Sequence, residues 1–373
     1  MSEDFFWQLQ KQSDKGQPFA AYRKPNEITL KALLQKDAVL HHISDFTESG
    51  FVFAPFDDKN EAVLIPSAQS EIINGAFVMS HECKISQEKA KPFAEGKQFH
   101  IHLVQKGIDA IKTHQFKKVV LSRCETVQLT EANPMELFKR LLSTYKTAFV
   151  YCWYHPKVGL WLGATPETLL QIEGTQLTTM ALAGTQKFDG ILDVVWLPKE
   201  KEEQQIVTDF IVGSLQPSVG SLYISETETV RAGNLLHLNT TIKANLKPQT
   251  FNLKQLLEAL HPTPAVCGIP KENAKRFILK NENYNREFYT GFLGELNLKE
   301  KRTCNSNRHN IENDAYASIK TVSNLFVNLR CMQLKGDMAS IYVGGGITND
   351  SIPEDEFNET IFKTETIKKI LFT

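Results

Sequence analysis

Near the C-terminus the residues Glu356, Phe357, Asn358, Glu359, Thr360, Ile361, Phe362 and Lys363 follow one another. At about 100° per residue, Glu356, Glu359 and Lys363 fall within an arc of roughly 60° on one helical face. That face continues into Ile367 and Ile370, so two carboxylates and an ammonium are aimed inward rather than at water. Burying a charge is costly unless it is paired or binds an ion. A hard cation or an anionic ligand would offset that cost. A plain intrahelical salt bridge would account for the same residues.

Further stretches carry groups able to do chemistry. Lys118 opens the strand Lys-Val-Val-Leu-Ser-Arg, where period-two alternation sets Lys118, Val120 and Ser122 on one face. A lysine in that place is either a snorkelling surface residue or a desolvated amine serving as a base. Glu167 follows Gly163-Ala164-Thr165-Pro166. Its carboxyl either steadies the turn or is desolvated and kept protonated as a general acid. Glu203 shares about 60° of helical arc with Ile206, Val207 and Phe210 and so joins a buried stripe, whereas Lys199, Lys201 and Glu202 point to solvent. Glu203 and Glu359 are then inward carboxylates from two distant helices, donors that suit Mg2+ rather than a sulphur- or imidazole-preferring metal. Gly344-Gly345-Gly346 is either a tight turn or a place where backbone N–H groups approach a carboxylate or phosphate; it is neither a GxGxxG nor a P-loop pattern. Arg330, at the inner end of a strand, could clamp a carboxylate bidentately.

The elements that must position these groups follow from periodicity. Residues 1–90 mix strand-like runs at 50–55 and 62–65 with polar turns. A long amphipathic helix is predicted over 92–115, with Phe93, Phe99, Leu103, Ile108 and Ile111 facing the core. Strands are predicted at 118–123, as a pair within 148–162, and at 169–172, 176–182 and 237–246. Helices are predicted at 198–212, 253–260 and 271–279. Strands at 289–296, 317–322, 325–334 and 338–343 precede the last helix. Meander-like strands without regular βαβ alternation predict an α+β fold built on large, mostly antiparallel sheets. The polar, Asn-rich segment 299–314 reads as an exposed, mobile hairpin loop.

The 373 residues suit one large or two intimate domains, and no linker separates independent ones. Forty-two basic against 43 acidic residues leave a net charge of −1, so neither nucleic acid nor an anionic membrane has a global electrostatic handle. Any anion site must be local. The six cysteines show no CxxC pair and fit reduced thiols in a cytoplasmic protein. The acidic, aromatic start is unlike a signal peptide, and no stretch approaches the roughly 18 uninterrupted apolar residues of a membrane span.

Taken in order, KVVLSR at 118–123, GATPETLL at 163–170, ALAGT at 181–185, LHPTPAVCG at 260–268 and EFNETIFK at 356–363 resemble the chorismate-utilising enzymes, most closely the isochorismate synthases among them. The resemblance spans 95–373; residues 1–94 would be a variable N-terminal part of the same fold. It implies an α+β fold with two large, mostly antiparallel sheets forming a sandwich wrapped by helices, and a Mg2+-dependent isomerisation of chorismate. By that resemblance Lys118 would activate water for attack on ring carbon 2, and Glu167 would protonate the hydroxyl leaving carbon 4. Glu203 and Glu359 would hold Mg2+, with Glu356 close by, directly or through water. Arg330, Lys363, Gly344, Gly345, Gly346, His237, Gly184 and Thr185 would position the substrate's carboxylates. A cytoplasmic monomer or weak dimer without a glutamine amidotransferase subunit is implied, its product serving menaquinone or siderophore assembly.

Two departures stand out. Gln204 occupies a place where many relatives have histidine, on the polar side of the helix by the wheel, and the 299–314 segment is long. Within the family, Lys118 disfavours anthranilate synthase, where glutamine is usual, and Ala183 disfavours aminodeoxychorismate synthase, which places a nucleophilic lysine there. Salicylate synthase, which adds pyruvate elimination, is the alternative. A non-catalytic chorismate-binding protein would need no matched acid and base.

Overall fold

Along the strand Phe149–His155, Phe149, Tyr151 and Trp153 point to one face while Val150 and Cys152 point to the other, and all five are buried. A strand covered on both sides belongs to the inside of a layered structure. The computed structural model describes residues 2–77, 96–129, 132–233, 235–249, 251–302 and 318–372. It holds two antiparallel sheets. The first runs in the order Gly268–Ile269, Lys118–Gln128, Met338–Ile347, Cys331–Lys335, Gly159–Thr165, Phe149–His155, Phe19–Arg23, Thr29–Gln35, Ser70–Ala76. The second runs Val219–Ile224, Leu235–Leu246, Gln176–Lys187, Thr168–Glu173, Ser318–Val327, Phe292–Arg302, Gly50–Ala54, Val63–Pro66, His41–His42, with Glu228–Ala232 also paired to Leu235–Leu246.

The sheets meet through an aromatic layer. Tyr22, Phe149, Tyr151, Trp153 and Trp161 of the first pack on Phe51, Phe53 and Phe326 of the second. The rings of Phe149 and Phe326 stack at 4.1 Å. Outside the first sheet lie the helices Ser2–Asp14, Pro134–Thr144 and Pro353–Leu371, held by Phe5, Phe138, Ile367 and Ile370. Pro198–Leu215 and Leu253–Leu260 cover the second through Val207, Ile211, Leu256 and Leu257. Lys97–Lys112 and Lys271–Asn281 add a smaller core around Leu103, Ile108 and Ile278. Local sequence explains several of these helices. Asn133 caps Pro134–Thr144 by accepting from the N–H of Met135 and Glu136, and Leu253, Leu256, Leu257 and Leu260 repeat at helical spacing. Among the described residues no helix is long and apolar enough to cross a membrane. Cys124, Cys152, Cys267 and Cys331 are free thiols.

The predicted α+β sandwich of mostly antiparallel sheets is what the chain forms, with local corrections. The helix expected over 92–115 is Lys97–Lys112; Phe93 lies outside the described residues, and Phe99 is 39 % exposed because the buried stripe runs through His100, Leu103, Val104 and Ile108. The strands expected at 317–322 and 325–334 are redistributed: Ser318–Val327 is one strand, a link follows at 328–330, and Cys331–Lys335 belongs to the other sheet. Most of the segment expected to be a hairpin loop lies outside the described residues; Lys299 and Glu300 are ladder residues opposite Thr321 and Lys320. The chain therefore crosses between sheets at Pro166–Glu167 and again at Asn328–Arg330. Val327 N–H donates to Glu167 O and Ala164 N–H to Arg330 O, tying the two crossings together.

Glu295 pins the sheets elsewhere. Fully buried on the second sheet, it accepts from Tyr22 Oη at 2.6 Å and Asn324 Nδ2 at 2.7 Å, and pairs with Lys24 at 2.8 Å and Lys31 at 2.9 Å. Burial alone would raise its pKa, but Lys24 and Lys31 outweigh burial and bring it down to about 2. Because the folded pKa lies below the unfolded one, this stabilisation is complete above about pH 4.5 and is lost as pH falls toward 2. Glu295→Gln is expected to cost roughly 3 kcal/mol in urea unfolding at pH 7 and less than about half of that at pH 3. An equal cost at both pH values would contradict this account.

Candidate active site

Where the two crossings meet, a cavity opens between the sheet ends and the helices Pro198–Leu215 and Pro353–Leu371, with about 1050 Å³ of space that is partly open to solvent. Glu167, Gly184, Thr185, Glu203, His237, Arg330, Gly344, Gly345, Gly346, Glu359 and Lys363 line it. Of the residues singled out in the sequence, Lys118 and Glu356 stand one layer behind. Lys118 is fully covered, and its Nζ ends on Glu203 Oε1 at 2.7 Å. Glu356 is likewise buried, with Oε1 2.9 Å from Lys199 Nζ. The third carboxylate, Glu359, is 2.6 Å from Lys363 Nζ, one helical turn away.

Each carboxylate thus has its own ammonium. For Glu203, burial would raise the pKa, but Lys118 outweighs it and keeps the carboxyl below its ordinary value. Glu356 is pushed upward, by burial first and then by the like charge of Glu359, and its Oε2 is buried with no hydrogen-bond partner. All-oxygen donors of this kind suit a hard divalent cation, and the unpartnered Oε2 beside a second carboxylate is the kind of group a cation would satisfy. Among the described residues, however, no three such side chains are gathered as a ligand group. Each is paired with a lysine instead.

The run Gly344–Gly346 is not the turn that three glycines suggest. It lies within the strand Met338–Ile347, opposite Ser122, Leu121 and Val120 of the Lys118–Gln128 strand. Glycine is required by what lies over it. A methyl group on Gly346 would sit 2.7 Å from Glu203 Oε1 and 3.0 Å from Lys118 Cε, and one on Gly344 only 2.7 Å from Leu121 O. Gly344 O accepts from Lys363 Nζ at 3.0 Å. Gly184 and Thr185 owe their place to a register shift between Ala183 and Gln186, a bulge that turns them into the cavity.

The acid and cation candidates sit on the crossings. Glu167 is buried, and burial lifts its carboxyl pKa to about 8 although Lys118 and Arg330 pull it back. It is therefore protonated near neutrality. Arg330 is not inside a strand as expected but in the link, in the left-handed region at φ 48°. Its Nη1 donates to Ala232 O at 2.9 Å and its Nη2 donates to His237 Nε2 at 2.7 Å. His237 in turn donates from Nδ1 to Gly184 O at 2.8 Å. Burial, then Arg330, drive the His237 pKa down to about 3, so the ring is neutral and braces the guanidinium.

Several residues escaped the sequence. Lys199, expected in solvent, is the partner of Glu356. Gln204, expected on a polar face, is buried and donates to Ala181 O and Thr240 Oγ1, so it anchors the Glu203 helix to the second sheet. Tyr289 and Tyr342 form an aromatic wall, stacked at 5.5 Å. Arg286 is the hub behind that wall. It pairs with Glu282 at 2.6 Å and donates to Val120 O, Val266 O and Thr290 Oγ1, while Glu282 Oε1 accepts from Ser122 N–H and Oγ. One buried ion pair thus fixes three wall segments. The only early sign is the acid–base spacing of four between Glu282 and Arg286.

Two family models, both described as chorismate binding enzyme, match residues 58–303 and 316–369. The chain is 27% identical over 340 residues to isochorismate synthase DhbC of Bacillus subtilis (strain 168), covering 85% of this chain and 79% of that protein. It is 30% identical over 271 residues to isochorismate synthase MenF of Pasteurella multocida (strain Pm70), covering 69% of this chain and 57% of that protein. The crystal structure of DhbC from Bacillus anthracis superposes with a TM-score of 0.74 at 23% identity, over 97% of this chain and 99% of that one, a likeness of fold.

Removing one partner of a buried ion pair leaves a charge stranded. Arg286→Met is expected to lower unfolding free energy by roughly 3–5 kcal/mol, and Arg286→Lys, which keeps the charge but loses the fork, by a smaller amount. Urea titration measures both; a loss below about 1 kcal/mol for Arg286→Met would show that the hub is dispensable.

Proposed function

Because the chain belongs to the chorismate binding enzymes, we propose that it is an isochorismate synthase, adding water at ring carbon 2 of chorismate as the carbon 4 hydroxyl is lost, with the help of Mg2+. The observation that carries this reading is the buried Glu167 carboxyl, held protonated in the cavity that also presents the Arg330 guanidinium and the Lys363 ammonium. A passive chorismate binder has no use for a neutral acid there.

Arg330, braced by His237, and Lys363 meet the substrate's two carboxylates, with the Gly344–Gly346 strand and the Gly184–Thr185 bulge as backbone walls. Tyr289 and Tyr342 face the ring. Lys118 takes a proton from water as the water oxygen bonds to carbon 2. The ring double bonds shift, the bond from carbon 4 to oxygen breaks, and Glu167 passes its proton to the departing hydroxyl, which leaves as water. One water enters and one leaves. Lys118 then carries the extra proton and Glu167 lacks one, and a proton returned through solvent resets the pair. An ammonium paired with Glu203 has no lone pair to offer, so Lys118 acts as the base only once it has parted from Glu203 and given its proton to solvent. Mg2+ held by Glu203 and Glu359, with Glu356 directly or through water, would neutralise a substrate carboxylate and orient the ring.

Incubated with chorismate and Mg2+, the protein is expected to yield isochorismate, to stop with EDTA, and to lose at least about 1000-fold in kcat on Lys118→Ala while chorismate binding stays measurable. Chromatography of the products decides. Salicylate and pyruvate would replace this reading with salicylate synthase, and no metal-dependent turnover would remove it. Glu167 supplies a pH signature. The acid must be protonated and its pKa in the free protein is about 8, so kcat/KM should fall as pH rises above about 8. A profile still climbing between about pH 8 and 9.5 would show that another group is the acid.

A further inference from the structure

Lys199 lines the cavity between the two helices that carry the carboxylates, and neither the base, the acid nor the substrate clamp needs it. Its Nζ is 2.9 Å from Glu356 Oε1. Burial works against its charge, yet Glu356, Glu203 and Glu359 together outweigh burial and hold its pKa above the ordinary value. It touches Glu356 and shares the cavity lining with Glu203 and Glu359. The charges nearby are four cations, Lys118, Lys199, Lys363 and Arg330, against four carboxylates, Glu200, Glu203, Glu356 and Glu359. That set is neutral. A divalent cation alone would add two positive charges to it, a dianion alone two negative ones, and both together none.

Resting on the reading just given, we propose that Lys199 is the resident counter-ion of this carboxylate set, holding divalent-cation affinity down and dianion affinity up, so that each ligand binds well only with the other. Lys118, Lys363 and Arg330 have other work when substrate arrives. Lys199 is the cation left to set this balance. Removing its charge leaves the set one unit negative, which favours a cation and disfavours a dianion. The two affinities must move in opposite directions, a result that mere disruption of the fold does not produce. Coupling between two ligands is reciprocal, so the gain in one affinity when the other ligand is present should also shrink.

The test measures Mn2+ binding without chorismate, by the loss of the free-ion electron paramagnetic resonance signal, and chorismate binding in EDTA, by calorimetry. Unmutated protein, Lys199→Met, Lys199→Arg and Glu359→Gln are compared. Lys199→Met is expected to bind Mn2+ about tenfold more tightly and chorismate about tenfold more weakly, the Coulomb effect of one half-exposed charge a few ångströms away. Lys199→Arg should keep both affinities within about twofold, since charge is preserved. Shifts of the same sign, or neither affinity moving beyond about twofold in Lys199→Met, would overturn the counter-ion role. Glu359→Gln is the separate control: if it leaves Mn2+ binding intact, or if unmutated protein binds no Mn2+ with or without chorismate, the metal site itself is wrong and the inference falls with it.

Discussion

Charge inside a partly closed cavity must be matched on the spot, and the pairing of Lys118, Lys199 and Lys363 with Glu203, Glu356 and Glu359 is the constraint on which the site depends. It dictates the neighbours. Gly346 has no side chain because Glu203 and the Lys118 stem lie against the strand, and Gly344 leaves its carbonyl open to Lys363. On the proposed reading, a dianion and a divalent cation arriving together would keep that balance, whereas either alone would disturb it.

The sandwich supplies the frame. Glu167 and Arg330 sit where the chain passes from one sheet to the other, and the hydrogen bonds of Val327 to Glu167 and Ala164 to Arg330 lock the two passages together. The aromatic layer between the sheets, with Phe149 stacked on Phe326, makes those passages rigid enough to hold a buried acid. Behind the wall, Arg286 and Glu282 fix Val120, Ser122, Val266 and Thr290 in a single network. Burial keeps Glu167 protonated, and the same burial makes the lysine partners of Glu203 and Glu356 obligatory.

Much of this was legible in the chain. The inward face of the last helix followed from helical spacing, including the Glu359–Lys363 bridge that now closes it. Lys118 and Glu167 stood out as polar groups beside apolar strands and Glu203 as a carboxylate on an apolar helical face, and ordered strings such as LHPTPAVCG pointed to the family. The misses share a cause, since each depends on a partner remote in sequence. The wheel sent Lys199 to solvent because its partner Glu356 lies 157 residues away. Gln204 looked polar-faced until Ala181 and Thr240 of the second sheet were beside it. Three glycines in a row suggest a turn, and only the ladder with Ser122, Leu121 and Val120 makes them a strand. Arg330 was hidden in an apolar run that the fold divides between two sheets.

Diffraction from crystals soaked with chorismate and Mn2+, recorded at the manganese absorption edge, is the most direct examination of the central claim. The account predicts an anomalous peak bonded to Glu203 and Glu359, the ring between Glu167 and Lys118, and Lys118 parted from Glu203. A peak elsewhere, or a ring bound in this cavity with all three lysine–glutamate pairs intact, would contradict it.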